Sequence, residues 1–474
     1  MKTYNISRRL IAFVITLASL STAVMAQYNN SSYFMEGMYY RHNLNPAFAA
    51  ERNYINMPLF MLGNFNVGMQ GNIGVDDFIY PYNKNGYSLT TFMNPSVDAK
   101  EFLSRLQKNN IVNLNVSMPI IAFGFGGWGG FNTFEIGLKT NAAVNLPYDL
   151  FAFAKNGVAD SRITEYDITD LRVRATAYAE VALGHSRKFL DNKLAVGVKL
   201  KALIGAGNVD AHVRHLKVTM SEDRWKIQGD GEVNGSVSGA YFKYDEDGEI
   251  DGFDVDKAGV GGFGGAIDLG AQYDFKDLVP GLKVSAAILD LGFINWKKGV
   301  RATIKDEYTF DGFKEPIVID PDDDDPGKLD NQIDQIGDDL EDLFQLKEDK
   351  NPKSRTTSLG ATLNIGAEYA LPMYKNLRFG FLSSNYINGP FSWSEARFSA
   401  NVAPVKWFEA SVNYGMGKFG SSFGWVLNFH PKGFNFFIGS NHTFGKLTPQ
   451  GLPVGNANAH INLGFNITWG QKKI

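Results

Sequence analysis

The sequence predicts an all-β fold, a transmembrane antiparallel β-barrel of about 14 strands, and three observations carry that prediction. The first is alternation. From residue 461 to 469 every odd position is apolar (Ile461, Leu463, Phe465, Ile467, Trp469) and every even one is polar or Gly, the period of a strand with one oily and one wet face. The second is composition: 50 Gly and 36 Phe, 20 Tyr and 7 Trp in 474 residues, at a mean hydropathy of only -0.18. Aromatic richness is thus spread through the chain, and no stretch after the N-terminus reaches the ~18 to 20 apolar residues of a membrane helix. The third is an export-type N-terminus. Amides in hydrocarbon must be paired, so spanning strands close on themselves. A soluble β-sandwich also alternates, but it leaves the aromatics on the apolar face without a role, whereas a barrel uses them as interface girdles.

Taken in order, residues 1–26 have the form of a signal peptide. Lys2, Arg8 and Arg9 supply the positive end, residues 10–20 the apolar core, and Val24, Met25 and Ala26 a small-residue cleavage site before Gln27. Cleavage leaves 43 Lys and Arg against 50 Asp and Glu, a mildly acidic chain and a poor binder of nucleic acid. Cysteine is absent, which excludes disulfides, thiolate chemistry and a lipoprotein anchor.

Residues 27–54 form a polar, aromatic segment containing Asn45, Pro46 and Ala47. Read by itself, Asn-Pro marks a turn, and the alanines after it predict a short helix. Residues 55–474 are the expected barrel. A first strand is placed within 55–72, followed by a loop helix begun by the capping box of Asp98 and Glu101 and faced by Phe102, Leu103 and Leu106. Strands follow at 111–123, 131–143, 171–184 and 194–204, and the lysines at 199 and 201 mark a wet face opposite the aliphatics. Residues 210–237 are β-like but mostly polar. They are read as a hairpin above the membrane, which gives 14 strands; counted in the wall, they would give 16.

Two stretches, 124–129 and 259–264, match the Gly-x-Gly-x-x-Gly dinucleotide fingerprint. An alternating strand follows each where the fingerprint needs a helix, so both are read as turn or strand glycines. Acidic insertions are expected at 241–258 and 297–356. The first resembles the middle of an EF-hand loop, yet Lys243 stands where the first metal oxygen belongs and Asp254 where a Glu closes the loop, so it reads as a solvated acidic loop. The second carries Asp322 to Asp325 in succession and then Ile333, Ile336, Leu340, Leu343 and Phe344 at helical spacing.

The last third alternates most clearly, at 359–369, 408–416, 423–429 and 461–469, with Val426 as an apolar exception on the wet face. Counting back from a final inward strand puts the short turns near Pro431, Pro404, Pro372, Pro280 and 189–192 on the periplasmic side and the acidic insertions outside.

The Asn45, Pro46, Ala47 segment before a first strand resembles the long-chain fatty-acid transporter (FadL-type) barrels and their secretion-linked relatives in Bacteroidota. The run Leu289, Asp290, Leu291, Gly292, Phe293, Ile294 and Trp296 resembles an uncharacterised Bacteroidota family of outer-membrane barrels. The resemblance implies an N-terminal plug inside or beneath the barrel and a transport-type barrel for small hydrophobic molecules. The alternative is an outer-membrane anchor or scaffold of a secretion or surface complex, to which the large acidic loops and amphipathic helix point. A diffusion porin fits a mixed-charge lumen but not a plug. Expected partners are outer-membrane lipids, with a hydrophobic small molecule or a surface protein.

No Gly-x-Ser-x-Gly or His-Glu-x-x-His occurs, and His212 and His215, three apart on a strand, face opposite ways. A non-enzyme without catalytic residues, cofactor or metal is therefore expected. The inferred lumen carries Glu135, Lys139, Glu180, Lys199, Lys201, Asp268, Glu368, Arg397, Glu409 and His460, either as mutually paired charges or as the lining of a water-filled path. In the last strand, Ile461, Leu463, Phe465, Ile467 and Trp469 should touch lipid, and His460, Asn462, Asn466 and Thr468 should face the lumen.

Overall fold

Alternating runs become strands because one face meets an apolar phase and the other a polar one, and here fourteen such runs close into a single antiparallel barrel. The structure, a computed structural model, describes residues 29–56, 64–82, 88–157, 164–220, 225–244, 250–255, 259–297, 299–304, 307–310, 344–443, 454–456 and 458–470. The wall strands, numbered here in chain order, begin with β1 in two pieces, Asn53–Asn56 and Phe65–Gly71. Then come β2 (Asn109–Gly127), β3 (Gly130–Pro147), β4 (Thr164–Phe189), β5 (Leu194–Met220), β6 (Gly262–Asp274) and β7 (Leu282–Trp296). The circuit continues with β8 (Arg355–Ser358 and Ala361–Leu371), β9 (Tyr374–Ile387), β10 (Trp393–Val405), β11 (Phe408–Gly417), β12 (Gly420–Phe429), β13 (Phe434–Ser440) and β14 (Ala459–Trp469). Closure is made by β14 on β1, through Tyr54 opposite Thr468 and Val67 opposite Ile461, and β1 pairs with β2 on its other side.

The expected strand at 55–72 is thus present as two pieces that share the same two neighbours. The signal peptide, the acidic run at 320–325 and most of the expected helix at 333–344 lie outside the described residues. Of that helix, Phe344 is described and packs on an apolar cluster above the wall.

The turn glycines are seen directly. Trp128 and Gly129 form the two-residue connection between β2 and β3 with φ of 53° and 75°, the left-handed pair that a tight hairpin requires. Neither fingerprint opens a helix.

Residues 210–237 form the expected hairpin off the wall, Asp210 to Met220 against Trp225–Val237, but residues 210–220 are not a separate strand. They continue β5, which runs 27 residues and pairs with β4 along its length. Its other neighbour changes halfway. Leu194 to Gly205 pair with β6, whereas Gly207 to Met220 pair with a strand off the wall, Trp225–Val237. That strand pairs in turn with Val300–Ile304 and Glu307–Phe310, and Leu346–Glu348 joins the edge. A 26- to 27-residue strand far exceeds the ~9 to 11 residues that a membrane asks for, so this sheet stands above it.

Ala206 is an extra residue in β5 at the point of change, because Ala177 pairs with Gly207 and Tyr178 with Gly205. One extra residue flips the side chains that follow it to the other face, and a second register shift comes between Val213 and His215, with Arg214 as its extra residue. Below it, Leu200 and Ile204 point outward and Lys199 and Lys201 inward. Above it, Leu216, Val218 and Met220 are buried in an apolar cluster with Ile168 and Ile227. The outward face there carries Lys217 on Glu165 and Arg214 on Asp230.

Two short helices pack beside this sheet: α1 (Ala99–Ser104) and α2 (Tyr148–Asn156). Asp98 caps α1 by accepting from the Glu101 amide at 2.7 Å. Phe102, Leu103 and Leu106 join Phe92 and Phe151 in one core, as their spacing predicts. Among the described residues no helix is long and apolar enough to cross a membrane.

Candidate functional site

Among the described residues, the lumen gathers buried charged and polar side chains from strands all round the wall, and its largest occupant is the chain's own N-terminal segment, residues 29–51. No apolar period organises this segment, and it forms only two 3-10 turns, Asn30–Ser32 and Tyr39–Asn43. The alanine-rich stretch after Pro46 is not helical; the short helix lies before Asn45 instead. Pro46 removes an amide donor and fixes φ, which favours a turn at that point.

Side-chain hydrogen bonds tie the segment to the wall. Asn29 donates to Asn462, Ser31 to Asn413 and Asn441, Tyr40 to Asn466, and the Gly37 amide to Glu409 at 2.9 Å. Asn45 donates to the carbonyls of Ala271 and Ala286 at 3.2 and 3.3 Å and accepts from the Ala47 amide at 2.9 Å. The wall makes room with glycine. A Cβ on Gly270 would stand 2.0 Å from Asn45 Oδ1, and one on Gly197 would stand 2.1 Å from the Pro46 carbonyl oxygen. The apolar exceptions on the wet face have the same cause: Val426 and Phe437 are fully buried against Met35, Met38 and Tyr40.

Every charged residue read from sequence as luminal is buried there, as is His460. Most of the charges are paired. Lys201, 6% exposed, lies 2.7 Å from Asp268 and 2.6 Å from Asp290; Lys139 lies 2.9 Å from Glu180. Lys199 reaches Glu135 at 3.9 Å and also bonds to His42 and Asn43 of the N-terminal segment. Arg397 is held by Glu395, Asn413, Ser422 and the Asn441 carbonyl. Glu368 faces Lys283 at 3.7 Å and Arg378 at 3.8 Å, and both cations also pair with Glu36 of the segment. His460 accepts from the Asn441 amide and contacts Asn66. In β14, Asn462, Asn466 and Thr468 are buried, while Phe465, Ile467 and Trp469 are exposed on the outer surface and Ile461 and Leu463 half-buried on the same side.

Sequence reading missed Asp290, Lys283, Arg378, Glu395, Glu36, Arg41 and His42. For Asp290 a signal existed. Outward apolar residues run on even numbers through Val284 and Ile288, then on odd numbers from Leu291 to Phe293, so the phase slips at 289–290. That slip is a bulge opposite β6, with Asp290 at φ 56° and its amide on Asp268. Arg378 and Lys283 share the parity of inward positions in their strands, a signal the apolar-first reading passed over.

Burial alone disfavours the Glu36 carboxylate, but Lys283 and Arg378 outweigh it and hold its pKa below the usual range. Burial, then the ammonium groups of Lys199 and Lys201, push the His42 imidazole well below its ordinary value. Lys199 can only donate, so Nδ1 of His42 accepts at 3.1 Å and Nε2 faces the Tyr54 hydroxyl at 2.7 Å.

His212 and His215 turn to different carboxylates, Asp170 and Asp167. Lys243 and Asp254, the first and twelfth positions of the EF-hand-like stretch, pair with each other at 2.8 Å. Among the described residues no cluster of His and carboxylates has the makeup of a metal site.

Beyond the segment, toward the end of the barrel that carries the off-wall sheet, the lumen keeps a cavity of about 90 Å³ and a neighbouring one of about 40 Å³. They share Asn115, Asn141, Leu359, Gly360 and Tyr386 as lining, with Lys139 and Asp290 on the larger and Arg174 on the smaller.

Known structures similar in outline are transport and channel barrels. The toluene transporter TodX of P. putida is 9% identical, with 96% of this chain and 97% of that chain covered and a TM-score of 0.38. The toluene transporter TbuX of Ralstonia pickettii is 8% identical over 95% and 96%, with a TM-score of 0.37. A Rh. blastica porin variant is 8% identical over 86% and 100%, with a TM-score of 0.21. No curated protein matches the chain. A family match does cover residues 46–441, most of the wall, and by it the chain belongs to DUF5723, a family of unknown function.

Proposed function

We propose that this protein is an outer-membrane barrel of transport type, in which residues 29–51 act as a plug and a small molecule passes beside it. The observation that carries this is how the segment is held: by separate side-chain hydrogen bonds and ion pairs to strands on all sides, in grooves opened by wall glycines, with a cavity left beyond it. A segment that served only to fill the barrel would have no need of contacts that water can replace one by one. Residues 1–26 are the export signal in this proposal and 27–54 the plug. The luminal charges, paired with each other and with the segment, hold its position. Outer-membrane lipids are the partner of the outward apolar belt. The cargo in this reading is a small molecule of hydrophobic character, for which Tyr178, Tyr386 and Trp393 supply the apolar surface of the cavity. No catalytic step is assigned.

The test is conductance and solute uptake in proteoliposomes, comparing the full mature chain with one lacking residues 29–51. The full chain should pass a narrow set of small solutes, and the shortened one should be widely leaky. A shortened barrel that inserts, shows heat-modifiable mobility and is no leakier would refute the plug.

A second reading is favoured by the sheet above the membrane. The extended β4 and β5 with the strands Trp225–Val237, Val300–Ile304 and Glu307–Phe310 form a platform suited to anchoring a surface or secretion complex. Purification in mild detergent would then bring down a stoichiometric partner.

A further inference from the structure

We infer that the paired cavities are a binding site for one uncharged six-membered ring with an apolar face and a hydroxylated edge. This deepens the transport reading and rests on it for the presence of a cargo. The two walls of the site differ in chemistry. On β2 and β3 stand Asn113, Asn115 and Asn141; across the lumen, β9 and β10 present Tyr386 and Trp393, whose ring centroids are 5.8 Å apart with planes inclined by 31°. In a circuit of fourteen strands these pairs of strands lie on opposite sides.

One amide of this wall is left unsatisfied from within. Asn113 is 4% exposed, and its Nδ2 finds no hydrogen-bond partner in the protein. A buried amide left so costs free energy that a ligand oxygen would recover. Asn30 of the N-terminal segment lines the floor of the same cavity, so an occupant would touch wall and segment together.

Charge and size narrow the class further. Lys139 and Asp290, which line the larger cavity, are already committed to Glu180 and Lys201. An ionic ligand would have to displace one of these pairs at the cost of leaving a buried charge alone. An apolar cavity of about 150 Å³ takes up benzene, so cavities of about 90 and 40 Å³ sharing five lining residues limit an occupant to a single ring, whose substituents enter as neighbouring side chains shift. A bare hydrocarbon would satisfy the aromatic wall and leave the Asn113 amide stranded. A ring with hydroxyls satisfies both, its face on Tyr386 and Trp393 and its edge on the asparagines. Phenols and monosaccharides share that chemistry.

The test is equilibrium dialysis of the full-length protein in detergent with labelled p-cresol, methyl glucoside and toluene. Saturable 1:1 binding of a hydroxylated ring at least tenfold tighter than toluene is expected, with at least a tenfold loss in Asn141→Leu and in Trp393→Leu. Cresol alone points to a phenolic source and glucoside alone to a saccharide. Equal or tighter binding of toluene, unchanged binding in Asn141→Leu, or no saturable binding of either hydroxylated ring overturns the inference. Heat-modifiable mobility controls for folding, and Asn115→Leu serves if Asn141→Leu does not fold. Uptake into proteoliposomes is scored separately: binding without passage removes the transport reading and leaves the site, and passage without binding removes the site alone.

Discussion

Single residues decide how the wall meets its two neighbours, lipid outside and the N-terminal segment inside. Gly270 shows the inner case. Its missing Cβ is the space that Asn45 Oδ1 occupies, and the contact is with a side chain whose amide nitrogen bridges β6 and β7. Gly270→Ala should therefore displace Asn45 and lose both of those hydrogen bonds, each worth about 0.5 to 1.5 kcal/mol. The barrel should remain folded while channel conductance rises; unchanged conductance would mean that the segment has another anchor. Phe465 shows the outer case. It lies midway along β14 on the exposed side, so Phe465→Arg should cost about 2 to 4 kcal/mol, measured as a shift of the urea unfolding curve in vesicles. An unshifted curve would place Phe465 away from the bilayer midplane.

At the scale of elements, legibility depended on whether an element had a period. The wall did. β11, β12 and β14 follow their alternation residue by residue, and the luminal Glu135, Lys139, Glu368, Arg397 and Glu409 follow from parity alone. Asp290 did not, because a bulge breaks the count, and β5 was cut short because Ala206 reverses its faces and makes the upper half look weakly amphipathic. The N-terminal segment has no period at all. Its Asn45 could be singled out only by resemblance, and Glu36, Arg41 and His42 carry no local mark of burial. That segment also carries a pH prediction. Docked, His42 stays neutral, its Nδ1 accepting from Lys199 and its surroundings including Lys201, Glu135 and Tyr54. Released, it titrates near its ordinary value of about 6.5. Below that pH the released form takes up a proton that the docked form cannot, so docking weakens as pH falls, by up to about 1.4 kcal/mol per pH unit. Protease cleavage within residues 29–51 should accelerate from pH 7 to 5.5, and His42→Gln should flatten that change. An equal acceleration in the variant would assign the effect to other groups.

For the whole molecule, the reversal at Ala206 marks the water boundary at the end of the barrel that carries the off-wall sheet. Below it apolar side chains such as Leu183 and Leu200 face out, at 60% and 58% exposure. Above it ion pairs face out and the apolar side chains close into a core with Ile168, Leu216 and Ile304. Exposed ion pairs add little stability, so their value here is as a marker: such a row sits in water and not in hydrocarbon. The chain has no cysteine, so single replacements can map the boundary without background. With the protein in lipid vesicles, Arg214→Cys and Lys217→Cys should react with a charged maleimide at the rate of an exposed thiol. Leu183→Cys, Leu200→Cys and Phe398→Cys should stay unlabelled until the protein is unfolded. The transition should fall within a few residues of Ala206 along β5, because the reversal of faces and the edge of the bilayer have one cause. Labelling of Leu200→Cys as fast as Arg214→Cys would put that part of β5 in water and raise the membrane band off the lower wall. The lumen would then open at a different depth from the one occupied by residues 29–51, and the cavities beyond them would belong to the membrane interior instead of its outer mouth.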